Sequence, residues 1–122
     1  MKIHPDKINA QSIYGYGPGW VQVANEKITH SVILSSRGER IDWGCESFAD
    51  LTVRHFDQLA RLQTELVIFG SGERLRFVSP ALTQTLIQQQ IGMETMDTQA
   101  ACRTYNILAA EGRHVAVALL MR

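Results

Sequence analysis

Gly92-Met-Glu-Thr-Met-Asp-Thr-Gln-Ala-Ala-Cys-Arg-Thr-Tyr-Asn106 is the stretch that decides the fold. Gly92 to Met96 reads as a short strand, and a helix led by Asp97 and Thr98 follows it with no linker. An aspartate in that place accepts from the unpaired N–H groups of the first helical turn. Upstream, Ser79-Pro80 supplies a cap and a proline at a first helical position, and Leu82, Leu86, Ile87 and Ile91 form an apolar stripe behind it. Before that helix, Glu65 to Phe69 is a nearly continuous apolar run, as expected of a strand covered on both faces. Downstream, Gly112 closes the third helix and His114 to Met121 forms a last apolar strand. The second half is therefore strand, helix, strand, helix, strand. Connections this short place the strands in one sheet with the helices packed over it.

The first half has a different rhythm. Ser12 to Tyr16 runs into the turn Gly17-Pro18-Gly19, and Trp20-Val21-Gln22-Val23 alternates as a half-buried strand does. Asn25-Glu26-Lys27 is a tight connection to a strand from Ile28 to Leu34, and Ser35 to Glu39 turns into Arg40 to Trp43. These pieces read as one antiparallel meander. Ser47, with Asp50 three residues on, then looks like the cap of a helix reaching about Leu62, with Phe48, Leu51, His55, Leu59 and Leu62 on its inner face.

At 122 residues the chain is read as one domain, residues 1–122, with ordinary apolar content and no repeat or low-complexity tract. Twelve basic side chains balance twelve acidic ones, which disfavours a dedicated nucleic-acid binder. No apolar run approaches the roughly 20 residues that cross a bilayer. The start, Met-Lys-Ile-His-Pro-Asp, has no apolar core of a signal peptide. Cys45 and Cys102 are isolated and form no Cys-x-x-Cys, so a reduced, cytoplasmic chain is expected.

Few residues carry recognisable chemistry. Gly15-Tyr16-Gly17 and Gly70-Ser71-Gly72 both lack the further glycine of a dinucleotide loop, since positions 20 and 75 are Trp and Leu. Neither precedes Gly-Lys-Ser/Thr, so no cofactor is expected. The second cluster still leaves the end of a buried strand, where backbone can approach a ligand closely. Thr98, Arg103 and Asn106 could face outward as a recognition set, because Arg103 and Asn106 share a helix face. Cys102 beside Arg103 suits buried packing better than a nucleophile, with no histidine near it in sequence. His4, His30, His55 and His114 show no metal-ligand spacing, so no metal is expected. Trp20 and Trp43 read as sheet packing rather than base-stacking platforms.

Phe69-Gly70-Ser71-Gly72, Ser79-Pro80-Ala81-Leu82 and Met96-Asp97-Thr98 through Ala100-Ala101-Cys102-Arg103-Thr104-Tyr105-Asn106, with Leu108 and Gly112, together resemble one family. It is the small α/β domain of unknown function shared by bacterial hypothetical proteins, an adipogenesis-associated human protein with an Mth-type domain, and mitochondrial assembly factor three of respiratory complex I. Ser71 stands where the family usually has threonine in the glycine loop. The resemblance implies an α/β fold of three layers: a central mixed sheet of about five strands, helices packed on it, and an N-terminal antiparallel β layer. It also implies no established catalytic activity, and protein partners during assembly of a membrane redox complex for the mitochondrial member.

The leading expectation is a non-enzymatic interaction module, peripheral to a membrane complex and with no nucleic-acid partner. Its working surface would combine Gly70, Ser71, Gly72, Asp97, Thr98, Cys102, Arg103 and Asn106 around one crevice at a sheet edge. The alternative is a small-molecule or anion binder, or an enzyme, in the same crevice. There Ser71 and backbone N–H groups would hold an anion, Arg103 would clamp it, and Cys102 or Asp97 would do chemistry. An exposed edge in the N-terminal meander could also pair two copies of the chain.

Overall fold

A computed structural model describes residues 12–122. The start of the chain, including His4, lies outside the described residues. Among the described residues, eight strands form two sheets. β1 (Ile13–Gly17), β2 (Trp20–Val23) and β3 (Glu26–Ile28) make a small antiparallel sheet in that order. β4 (Val32–Ser35), β5 (Arg40–Asp42), β6 (Leu66–Gly70), β7 (Gly92–Met96) and β8 (Val115–Leu119) make the central sheet, in the order β5-β4-β8-β6-β7. β6 runs parallel to both β7 and β8, while β4 is antiparallel to β8 and β5. The sheet is mixed and five-stranded, as the family resemblance implies.

Three α-helices cover it: α1 (Val53–Ala60), α2 (Gln84–Gln88) and α3 (Thr98–Ala110). Alternation along the strands sorts the core into two halves. Val32, Leu34, Ile68, Val117 and Leu119 face α3 and the small sheet, meeting Ala101, Cys102, Tyr105, Val21 and Ile28. Ile33, Val67, Phe69, Ala118 and Leu120 face the other way, onto Phe56 and Leu59 of α1 and Leu86 of α2. Trp43, Phe56 and Phe69 meet edge to face with ring centroids 5.7–5.9 Å apart, a geometry worth up to about 1.5 kcal/mol per pair beyond burial.

Several sequence expectations need correction. The antiparallel meander is not one layer, because β4 and β5 leave it for the central sheet. Val32 to Leu34 are fully buried, so that strand needs cover on both faces and finds it only between the layers. The first helix does not begin at Ser47. Phe48–Asp50 form a short 3-10 turn, Leu51 is extended and buried, and α1 starts afresh under Thr52. Thr52 and His55 form a reciprocal capping box there, with the Thr52 N–H donating to His55 Nδ1 at 3.0 Å. The restart shifts the helical phase, so Phe56, Leu59 and Ala60 are its buried residues, and His55 caps the helix. In the second helical stretch, a 3-10 turn over Pro80–Thr83 precedes α2, and Ile87 faces solvent at 60% exposure.

Candidate functional site

β6, β7 and β8 are parallel, so their C-terminal ends lie together: Gly70 pairs with both Met96 and Leu119. In open α/β sheets this is the edge where ligands bind. Three segments leave it side by side: the glycine loop Gly70–Gly72, the start of α3 at Asp97–Thr98, and the C-terminal residues after Leu119. The first two do lie next to each other, as the sequence reading requires. The space between them, however, is filled by the chain itself.

Thr98 is the centre of this closure. Its Oγ1 accepts from the Gly72 N–H at 2.9 Å and donates to the Leu120 carbonyl at 2.6 Å. Its own N–H donates to the Gly72 carbonyl at 2.9 Å, and the Leu120 N–H donates to the Gly70 carbonyl at 3.0 Å. A side chain on Gly70 would meet Thr98 Oγ1 at 3.0 Å and Leu119 at 2.9 Å. At Gly72, whose φ is +104°, an added Cβ would collide with the Arg122 carbonyl. Glycine is required at position 72 by contact and by conformation, and at position 70 the close approach of Thr98 leaves a Cβ little room.

The remaining predicted groups are occupied in the same way. Ser71 is buried; its hydroxyl donates to the Arg74 carbonyl at 2.7 Å and accepts from the Arg76 N–H at 3.0 Å, folding the loop back on itself. The Ser71 N–H donates to Met96 across the β6–β7 pair. Asp97 caps α3, its Oδ1 accepting from the Ala100 N–H at 2.9 Å. No hydroxyl or N–H of the glycine loop is therefore presented to an anion, which corrects the expected open crevice.

α3 buries Thr98, Ala101, Cys102 and Tyr105 at helical spacing. Burial pushes the Cys102 thiol up to about 12, and Arg103 beside it offsets this only in part. The group is a protonated core residue at neutral pH, and thiolate chemistry is closed to it. Cys45, also buried, donates to the Ser47 carbonyl, and burial raises its pKa too. Of the three residues expected to face outward, Thr98 is inside and Asn106 is half-buried. The Asn106 amide holds β1, accepting from the Ile13 N–H at 3.0 Å and donating to its carbonyl at 2.7 Å. Arg103 alone is exposed. Its guanidinium donates to the Tyr16 hydroxyl at 3.2 Å and lies 5.9 Å from the ring centroid.

Two features escaped the sequence reading. Ile107, four residues beyond Arg103 on the same helix face, is 59% exposed. A cleft of about 690 Å³ opens at the far end of α3, where Ile13, Tyr14 and Ala110 are joined by Arg37, Arg113 and His114. Neither has a local signal, because each depends on how distant elements pack. Arg40, Arg76 and Arg103 do not gather on one face, as a nucleic-acid surface built on them would need. Arg40 pairs with Glu26 at 2.8 Å, Arg76 lies over Phe48 on the α1 side of the sheet, and Arg103 lies over Tyr16 on the other. Among the described residues, no three His, Cys, Asp or Glu side chains cluster as metal ligands would, and no helix is long and apolar enough to cross a membrane.

Comparison with known proteins agrees with this architecture. A family profile described as "Protein of unknown function (DUF498/DUF598)" matches residues 13–120. NADH dehydrogenase (ubiquinone) 1 alpha subcomplex assembly factor 3 of Bos taurus is 33% identical over 82 residues, 66% of this chain and 45% of that protein. The match thus covers less than half the length of that relative. A crystal structure of a Bordetella parapertussis protein superposes with a TM-score of 0.84 at 38% identity, covering 89% of this chain and 93% of that one. The solution structure of a Bordetella pertussis protein, described as a Mth938-like domain, gives 0.83 at 32% identity over 98% of this chain and 92% of that one.

The Thr98 linkage predicts a sharp contrast between two substitutions. Thr98→Val strands a buried donor and a buried acceptor and should cost about 2–4 kcal/mol, read from urea unfolding. Thr98→Ser keeps the hydroxyl and should cost only about 1 kcal/mol for the lost methyl. Equal losses would mean the hydroxyl contributes nothing.

Cys102 predicts an alkaline limit. An unfolded thiol ionises near pH 8.5, whereas the folded one keeps its proton up to about 12. Between these values the native state binds more protons, so stability falls as pH rises, by up to about 1.4 kcal/mol per unit. Urea unfolding between pH 8 and 11 should register this fall, and Cys102→Ala should lessen it, leaving the part that the buried Cys45 and Tyr105 contribute. A slope unchanged in the variant would contradict the assignment.

Proposed function

Because the chain belongs to the family described as protein of unknown function (DUF498/DUF598), we propose that it is a protein-interaction module without a reaction of its own, acting in assembly of a membrane-associated respiratory complex. The observation that carries this reading is the consumption of chemistry-bearing groups by the fold. Ser71, Thr98 and the Gly72 N–H are bonded internally, Asp97 caps its helix, and Cys102 is a buried protonated thiol. What remains outward on α3 is a recognition surface: the Arg103 guanidinium laid over Tyr16, with exposed Ile107 one turn on. A charged group and a bare aliphatic side chain on a rigid helix suit a protein partner better than a small substrate.

The assembly role is supported by what relatives are named for, such as the bovine assembly factor. The glycine loop, Asp97, Thr98 and Asn106 serve this surface from behind by fixing both ends of α3. The partner is a protein, and the chain works as a cytoplasmic component peripheral to the membrane, where its two free, buried cysteines stay reduced.

Affinity capture from a native lysate tests this. The wild-type chain should retain a defined protein, and the double variant Arg103→Glu, Ile107→Asp should lose it while its urea midpoint stays within about 0.5 kcal/mol of wild type. Capture of nothing above background, or retention by the variant, would contradict the reading.

A further inference from the structure

β7 is the last strand of the central sheet, so one of its sides is an open edge. The Ser71 N–H bonds to the Met96 carbonyl, which fixes the inward side at Met96 and, by alternation, at Glu94 and Gly92. Met93 and Thr95 therefore turn their N–H and carbonyl groups outward. Among the described residues, no other segment pairs with that edge.

The two faces beside the edge differ. Met93 and Thr95 are register partners of Val67 and Phe69, which face α1 and α2. On that face lies a groove of about 320 Å³ walled by Phe77, Pro80, Leu86, Ile87 and Ile91. Phe77 is 70% exposed and Ile87 60%, an apolar patch that the fold itself leaves uncovered. Glu94 is the register partner of Ile68 and projects to the opposite face. It is exposed, and among the described residues it makes no ion pair within 4 Å.

We propose that the outer edge of β7 accepts an extended segment of a partner protein as a sixth strand, with apolar side chains toward the Phe77–Ile87 groove and a basic one toward Glu94. Backbone pairing at Met93 and Thr95 supplies the attachment, and alternate side chains supply the selectivity. Charge argues against a second copy of this chain. Glu94 is the middle residue of β7, so a two-fold antiparallel pairing centred on the strand sets Glu94 against its own mate, a destabilising like-charge pair. A lysine or arginine there completes an opposite-charge pair instead. This inference rests on the reading of the chain as a protein-interaction module and adds which edge docks and what it takes.

The test uses two blocked pentapeptides, Val-Lys-Val-Arg-Val and Val-Glu-Val-Glu-Val, titrated at low salt into the full isotope-labelled chain and followed residue by residue by NMR. The basic peptide should shift the Met93 and Thr95 amides and bind about 3–10-fold tighter than the acidic one, the range expected of an exposed charge pair. Glu94→Lys should reverse that order. Phe77→Ser should weaken both peptides several-fold without disturbing the β6–β7 pairing. Equal binding of the two peptides, or no shift at millimolar peptide, overturns the proposal. So does concentration-dependent broadening of Met93 and Thr95 without peptide, which would assign the edge to a second copy. Shifts confined to Arg103 and Ile107 overturn the β7 site while leaving the broader interaction reading standing.

Discussion

One buried hydroxyl governs this molecule. Thr98 Oγ1 joins the Gly72 N–H to the Leu120 carbonyl inside the protein, where leaving either group unpaired costs about 1–3 kcal/mol. Three segments that leave parallel strands are thereby tied at one point. The tie needs close backbone approach, so positions 70 and 72 are glycine. It also seals the sheet edge where a crevice would otherwise open. The β7–α3 junction is thus a structural device.

Local chemistry announced much of this. Asp97 before Thr98 declared a helix start, Gly112 its end, and the apolar runs around Ile68 and Val117 declared strands covered on both faces. These features were legible because each depends on neighbours within a few residues. The glycine loop and the start of α3 do touch, at Gly72 and Thr98, but they frame no open hollow. What failed was non-local. Nothing near Thr98 in sequence says that Leu120 and Arg122 will fold into the crevice, and nothing near Asn106 says that its amide will hold Ile13. The shifted phase of α1 has a local cause of another kind: Ser47 reads as the cap, but it opens only a 3-10 turn, and the helix begins after the buried, extended Leu51.

Exposed apolar side chains were the least legible of all. Ile87 fits an inward stripe, yet it faces solvent because α2 is only a short helix reached through a 3-10 turn. Ile107 and Phe77 likewise stay largely exposed. Their exposure depends on which distant elements pack nearby, and no local pattern records that. The fold is shared closely with the Bordetella structures, and the rigid sheet end gives both outward surfaces a fixed frame.

Amide hydrogen exchange at Gly72 reads the Thr98 tie itself. This N–H lies in a loop outside any strand, where exchange would ordinarily be fast. Bonded to a buried Thr98 hydroxyl, it should open only with global unfolding, giving the same free energy as the amides of Ile68 and Val117. Exchange at the rate of an exposed loop amide, many orders of magnitude faster than those core positions, would contradict the account.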